Sequence, residues 1–115
     1  MMSGTDDALS AVRAALAARD GELAAADEEL VAVLHAAHRD GISSVRRIDA
    51  VASAIDAAVA GRIIDGPAAG REFGAFLVER NREIRDIVTD AHADVAAKTI
   101  ALQQLSERYR GTAQR

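Results

Sequence analysis

The chain has 115 residues, of which 50% are hydrophobic and 28% charged, a composition typical of one folded domain spanning residues 1–115. The absence of cysteine excludes disulfides and thiolate metal sites, and a net charge of -4 without a clustered basic face argues against nucleic-acid binding. No apolar stretch is long enough for a membrane span, and the first residues do not have the pattern of a secretory signal.

The first predicted helix covers about residues 5–39. Thr5 is a competent N-cap, and the acids that follow it suit the positive end of the helix dipole. Gly21 lies in the middle of this helix, where it costs about 1 kcal/mol relative to alanine and favours a kink. An apolar residue recurs at every seventh position, which is the spacing of a coiled coil: Leu9, Leu16, Leu23 and Leu30.

A second helix is predicted over about residues 44–60. The segment Arg39-Asp40-Gly41 is typical of a helix stop, with Gly41 as a left-handed C-cap residue. Ser43 or Ser44 would then be the N-cap of the next helix.

The second joint precedes a long helix predicted over about residues 67–110. Asp65 can cap this helix, and Pro67, the only proline in the chain, suits its first turn. An apolar stripe runs through the helix at alternating spacings of three and four residues. Near its start, Phe73 and Phe76 are predicted to pack on Ile63 and Ile64 of the joint.

These elements predict an all-α fold, either an elongated antiparallel helical hairpin or a three-helix bundle with a long C-terminal helix. Alanine occurs 27 times, as often as Leu, Ile, Val and Phe together, so the core should be thin and the helices closely spaced. A domain-swapped or four-helix dimer is an alternative arrangement.

Five apolar residues are candidates for an interface with a partner. The stripes of the first and last helices contain Leu16, Leu23, Ile84 and Leu102, which we expect at core or interface positions. Phe76 is core by default and an interface anchor if its ring points outward.

His35 and His38 lie three residues apart near the end of the first helix, with Asp40 beyond them. This spacing is compatible with a metal face, but a histidine near a helix C-terminus is also favoured by the dipole. The acidic residues of the chain are interpreted as a solvated charged face. No catalytic or cofactor-binding residue is predicted.

The segment from Asp65 to Phe73 resembles a sequence motif of a known family. Its sequence, Asp-Gly-Pro-Ala-Ala-Gly-Arg-Glu-Phe, resembles the turn before the long last helix in an uncharacterised mycobacterial and actinobacterial family of helical domains. In that family the turn typically reads Asp-Thr-Pro-Ala-Gly-Ala-Arg-Glu-Phe. Arg47-Ile48-Asp49 and Tyr109 also resemble the family, which implies a helical fold and no established activity.

The chain is also similar in size and helical content to the Trp-X-Gly hairpin proteins that type VII secretion systems export, which work as helical dimers. It has no tryptophan, however, and Ala113 stands where their export signal has an acidic residue. We therefore expect a cytoplasmic protein, with export through a type VII system together with a partner as the alternative.

The sequence thus predicts a non-enzymatic helical protein–protein interaction module, associated with type VII secretion through this similarity. Its expected partner is a second copy, as in a homodimer, or another helical protein. The alternative hypothesis is a helical metal or small-ligand binding protein that uses His35 and His38. No cofactor is expected.

Overall fold

The computed structural model describes residues 2–62 and 65–114, which form two long helices. Helix α1 comprises Met2–Gly61 and helix α2 comprises Pro67–Ala113. No strand occurs within the described residues. The predicted all-α class and antiparallel hairpin are confirmed, whereas the three-helix bundle is wrong because the first two predicted helices are one.

The predicted break after Arg39 is absent because α1 continues through Gly41. Gly41 does not have the positive φ of a left-handed C-cap residue, and Ser43 and Ser44 lie inside the helix. Thr5 is also an interior residue, since α1 already includes Met2. A single glycine costs a helix only about 1 kcal/mol, which the alanine-rich segments on both sides of Gly41 easily offset.

The second joint lies where the sequence places it. Gly66 has a φ of 134°, and its carbonyl oxygen accepts a hydrogen bond of 3.1 Å from the N–H of Gly70. Pro67 is the first residue of α2, as predicted, because its fixed φ suits a first helical turn. The predicted packing of Phe73 and Phe76 on Ile63 and Ile64 lies outside the described residues.

We expect Gly66→Ala to destabilise the protein by about 1–3 kcal/mol, because the positive φ of Gly66 is a conformation that a Cβ atom strains. A Cβ at this position would meet no other atom within 4 Å, so the whole cost lies in the backbone. Urea unfolding measures the change. The matched control is Gly21→Ala, which should gain about 0.5–1 kcal/mol inside α1; equal effects of the two substitutions would contradict the assigned turn.

The chain divides into two compact units. Unit 1 comprises Met1–His35 with Lys98–Arg115, and unit 2 comprises Ala36–Ala97. This division does not test the expectation of one domain over residues 1–115, which stays a prediction.

In unit 1, the first part of α1 packs antiparallel to the last part of α2. The buried residues are Ala26 of α1 and Leu105 and Thr112 of α2. Thr112, close to the end of α2, lies beside Glu22. Residues 4–22 of α1 are all exposed, because within the described residues α2 does not extend far enough to cover them.

Unit 2 is a helical hairpin that contains the loop between the helices. Val51 of α1 and Ile87 of α2 are its buried hydrophobic residues, 6% and 3% exposed. Part-buried residues on both helices extend the contact line, among them Ser44, Ile55 and Phe76. No large side chain in the described part of the chain is completely buried. The core is therefore as thin as the alanine content predicts.

Candidate interaction surfaces

The five predicted interface residues differ in exposure. In unit 1, Leu16 is 52% exposed and Leu102 is 38% exposed, while Leu23 is part-buried beside α2. In unit 2, Ile84 and Phe76 are both part-buried. The interface role of all five stays a prediction.

The N-terminal part of α1 presents an apolar row to solvent. Leu9, Val12 and Leu16 are each more than half exposed. They continue the stripe that contains Leu23 and Leu30, which are part-buried. The heptad pattern therefore predicts the direction in which these side chains point, but α2 covers only its later positions.

Acidic residues of α1 bind donors of α2 in unit 1. The Tyr109 hydroxyl donates a hydrogen bond of 2.5 Å to Oδ1 of Asp27, and the Arg108 guanidinium donates to Oε2 of Glu29. Asp27 and Glu29 are exposed, as expected of a solvated face, and each also pairs with a side chain of α2. The sequence did not indicate these pairs, because they depend on the register between two helices distant in the chain.

Thr112 also links the two helices of unit 1, close to the end of α2. Its hydroxyl donates to the carbonyl oxygen of Arg108, 2.9 Å away, and Oε2 of Glu22 lies 3.3 Å from the hydroxyl oxygen. Because the carbonyl satisfies the hydroxyl proton, Thr112 can be buried near the end of α2 without leaving a donor unpaired.

The hydrogen bond to Asp27 raises the pKa of Tyr109 above its usual value of 10.0, with further contributions from desolvation and from the charge of Asp27. A pKa that is raised in the folded state adds stability below the usual value, and this stability is lost as the pH rises through the folded pKa. We therefore expect unit 1 to weaken in strongly alkaline solution.

Absorbance titration tests this directly, since Tyr109 is the only tyrosine and the chain has no tryptophan. The midpoint should lie above 10.0 in the unaltered chain and move back towards it in Asp27→Ala. Identical midpoints in the two proteins would show that the hydrogen bond is not formed.

An aromatic and arginine cluster lies in the hairpin of unit 2. The rings of Phe73 and Phe76 stack with centroids 6.3 Å apart, and the Arg62 guanidinium carbon is 5.6 Å from each centroid. The Arg80 guanidinium carbon is 5.0 Å from the Phe76 centroid, and Arg80 also forms a 3.1 Å ion pair with Glu83. Phe76 is therefore held by cation–π contacts within its own unit.

The model of a family described as Domain of unknown function (DUF4226) matches residues 3–114. The chain belongs to the DUF4226 family. A relative named Uncharacterized protein MT0028, from Mycobacterium tuberculosis (strain CDC 1551 / Oshkosh), is 40% identical to this DUF4226 chain over 111 residues, which are 93% of the chain and 92% of the relative. No solved structure matches it. The predicted membership in an uncharacterised mycobacterial and actinobacterial family is confirmed.

His35 and His38 are exposed on α1 of this DUF4226 domain. Among the residues that the structure describes, no three histidine, aspartate or glutamate side chains form a group that could hold a metal ion. The alternative hypothesis of a metal-binding protein therefore gains no support from the geometry.

Neither helix, over its described residues, has a segment apolar enough to cross a membrane.

Proposed function

We propose that the protein is a non-enzymatic helical interaction module that associates with a second copy of itself. The supporting observation is the imbalance between buried and exposed hydrophobic residues. Among the described residues, the buried hydrophobic ones are Ala26, Val51, Ile87 and Leu105. Large aliphatic side chains remain exposed along both helices, including Leu9, Leu16, Val45, Val59, Val88 and Leu102.

This imbalance favours association for an energetic reason. Burying apolar surface contributes about 25 cal/mol per Å², and a core with so few buried hydrophobic side chains obtains little of this contribution within one chain. A second helical surface that covered the exposed rows would supply more. Extended apolar surfaces on otherwise charged proteins commonly mark interaction sites.

The resemblance to type VII hairpin proteins, which rests on the size and predicted helical content of the chain alone, suggests a second candidate, a helical partner from such a system. We propose a cytoplasmic location, because Ala113 stands where their export signal has an acidic residue. In a mycobacterial host, the chain should then occur in the cell lysate and not in the culture medium. Secretion that stops when the type VII system is deleted would support export with a partner instead.

Leu102→Asp tests the proposed function. Leu102 is 38% exposed on α2, and a carboxylate there should prevent its burial against a partner. We expect the dimer dissociation constant to rise at least about tenfold. The melting temperature, which should increase with concentration in the unaltered chain, should become nearly independent of it.

Ile100→Asp is the matched control. Ile100 is an exposed aliphatic residue two positions earlier in α2, and it lies outside the apolar stripe. This variant should retain the concentration dependence, and circular dichroism should confirm that both variants are helical. A melting temperature that does not depend on concentration in the unaltered chain would contradict self-association.

A further inference from the structure

The two sides of unit 2 can be told apart by one ion pair. The contact line between the helices contains Val51 and Ile87. Nη1 of Arg47 lies 3.3 Å from Oδ2 of Asp90, across that line. Each residue turns an α-helix by about 100°, so Arg47 lies to one side of Val51 on α1, and Asp90 lies to one side of Ile87 on α2. Their pairing shows that these flanks share one side of unit 2, which we call the polar side.

The opposite flanks form the other side. On both helices, the residues that lie about 60–120° from the contact line, away from Arg47 and Asp90, are apolar except Asn81 at the outer limit of this range. Val45 and Val59 of α1 are 59% and 58% exposed, and Val88 of α2 is also exposed. We call this surface the apolar face; its large residues include Val45, Ile48, Val59, Leu77, Ile84 and Val88.

We propose that the apolar face of unit 2 packs on the same face of a second copy, with α1 of each copy against α2 of the other. This inference rests on the proposed function, self-association, and adds the surface and the arrangement. The resulting dimer contains a four-helix bundle in which every neighbouring pair of helices is antiparallel. Its two-fold axis runs along the helices, so each copy presents the same surface to the other.

Charges at the edges of the apolar face select this arrangement. The outer edge on α1 carries Asp49 and Asp56, both exposed. The outer edge on α2 carries Asn81, Arg85 and His92, also exposed, and no acid. One edge of the face is therefore acidic and the other is neutral to basic.

The register of the hairpin places opposite charges together. Arg47 lies level with Asp90 and the helices are antiparallel, so Arg85 lies about level with Ala52. In the proposed dimer, Arg85 of one copy thus lies between Asp49 and Asp56 of the other. The alternative, with α1 against α1, would set these aspartates against each other and Arg85 against Arg85, which like-charge repulsion disfavours.

Charge reversal tests the arrangement. Arg85→Glu should raise the dimer dissociation constant at least about tenfold, since it places three acids together at each edge. Asp49→Arg combined with Asp56→Arg should have a similar effect. All three substitutions in one chain should return the dimer dissociation constant to within about threefold of its value in the unaltered protein, because the charges at the two edges are complementary again.

Arg82→Glu is the matched control, because it makes the same change of charge on α2 at a residue that pairs with Glu79, away from the apolar face. Its dissociation constant should match that of the unaltered chain. Sedimentation equilibrium measures all the proteins at low and moderate salt, and circular dichroism verifies that each is helical. Added salt should reduce the differences between the charge variants.

The outcomes separate this inference from the proposed function. A dimer of the unaltered chain that Arg85→Glu leaves unchanged would overturn the arrangement and leave self-association standing, as would failure of the combined variant to recover. A monomer of the unaltered chain at every concentration would overturn self-association, and the arrangement with it.

Discussion

Replacing Ile87 with aspartate should unfold the helical hairpin of unit 2. Ile87 is 3% exposed and faces the contact line that also contains Val51. The substitution removes one of the few buried aliphatic side chains and leaves a carboxylate without a buried partner. We expect a loss of at least about 4 kcal/mol, comparable to the entire stability of a small domain with a thin core. Circular dichroism should show a large loss of helical signal at room temperature.

Val78→Asp is the control for this prediction. Val78 is a similar aliphatic residue on the same helix, but it is 53% exposed and points away from the contact line. Its replacement should change stability by no more than about 0.5 kcal/mol. If both variants kept full helical signal and equal resistance to urea, Ile87 would not be part of the core.

Val88→Asp should leave the helical hairpin folded but weaken association between chains. Val88 follows Ile87 directly but lies on the apolar face and is 43% exposed. The carboxylate can therefore remain in water in a single chain, whereas association would bury it. We expect the helical signal to persist at high concentration and the dimer dissociation constant to rise at least about tenfold.

Val78→Asp serves again as the comparison, because it adds the same charge outside the apolar face. Sedimentation equilibrium should show that it associates like the unaltered chain. Equal association of the Val88 and Val78 variants would exclude the apolar face as the interface, whatever the oligomeric state.

The loop and the last helix could be predicted from the sequence because their signals are local. Gly66 supplies a positive φ, Pro67 fits a first helical turn, and α2 then runs without a break to Ala113, three residues beyond the predicted end. Gly41 misled the prediction because the same residue type ends some helices and is merely tolerated in others. The outcome depends on whether the backbone adopts a left-handed conformation, which the identity of the residue does not decide.

The surfaces were harder to predict because they depend on how the two helices align. Leu9 and Leu16 have the same heptad spacing as Leu23 and Leu30, yet only the later pair is part-buried. That difference arises where α2 ends, because Thr112 lies beside Glu22 and α2 stops at Ala113, before it reaches the level of Leu16 and Leu9. A prediction that divided α1 in two could not reveal it.

The pair of Asp27 and Tyr109 depends on the same alignment. The two residues are 82 positions apart, and no pattern within either helix indicates that they meet. Only the register of the antiparallel helices brings the carboxylate to the phenol. The sequence supplied the two chemical groups, and the packing of unit 1 determined that they bind each other.

Light scattering on a sizing column tests the central claim, self-association through exposed apolar surfaces, most directly. We predict a solution mass of twice the 12.1 kDa of one chain at high concentration, falling towards 12.1 kDa on dilution. A mass of 12.1 kDa at every concentration, together with a cooperative thermal melt, would contradict the account, because the two helices would then be stable without a partner.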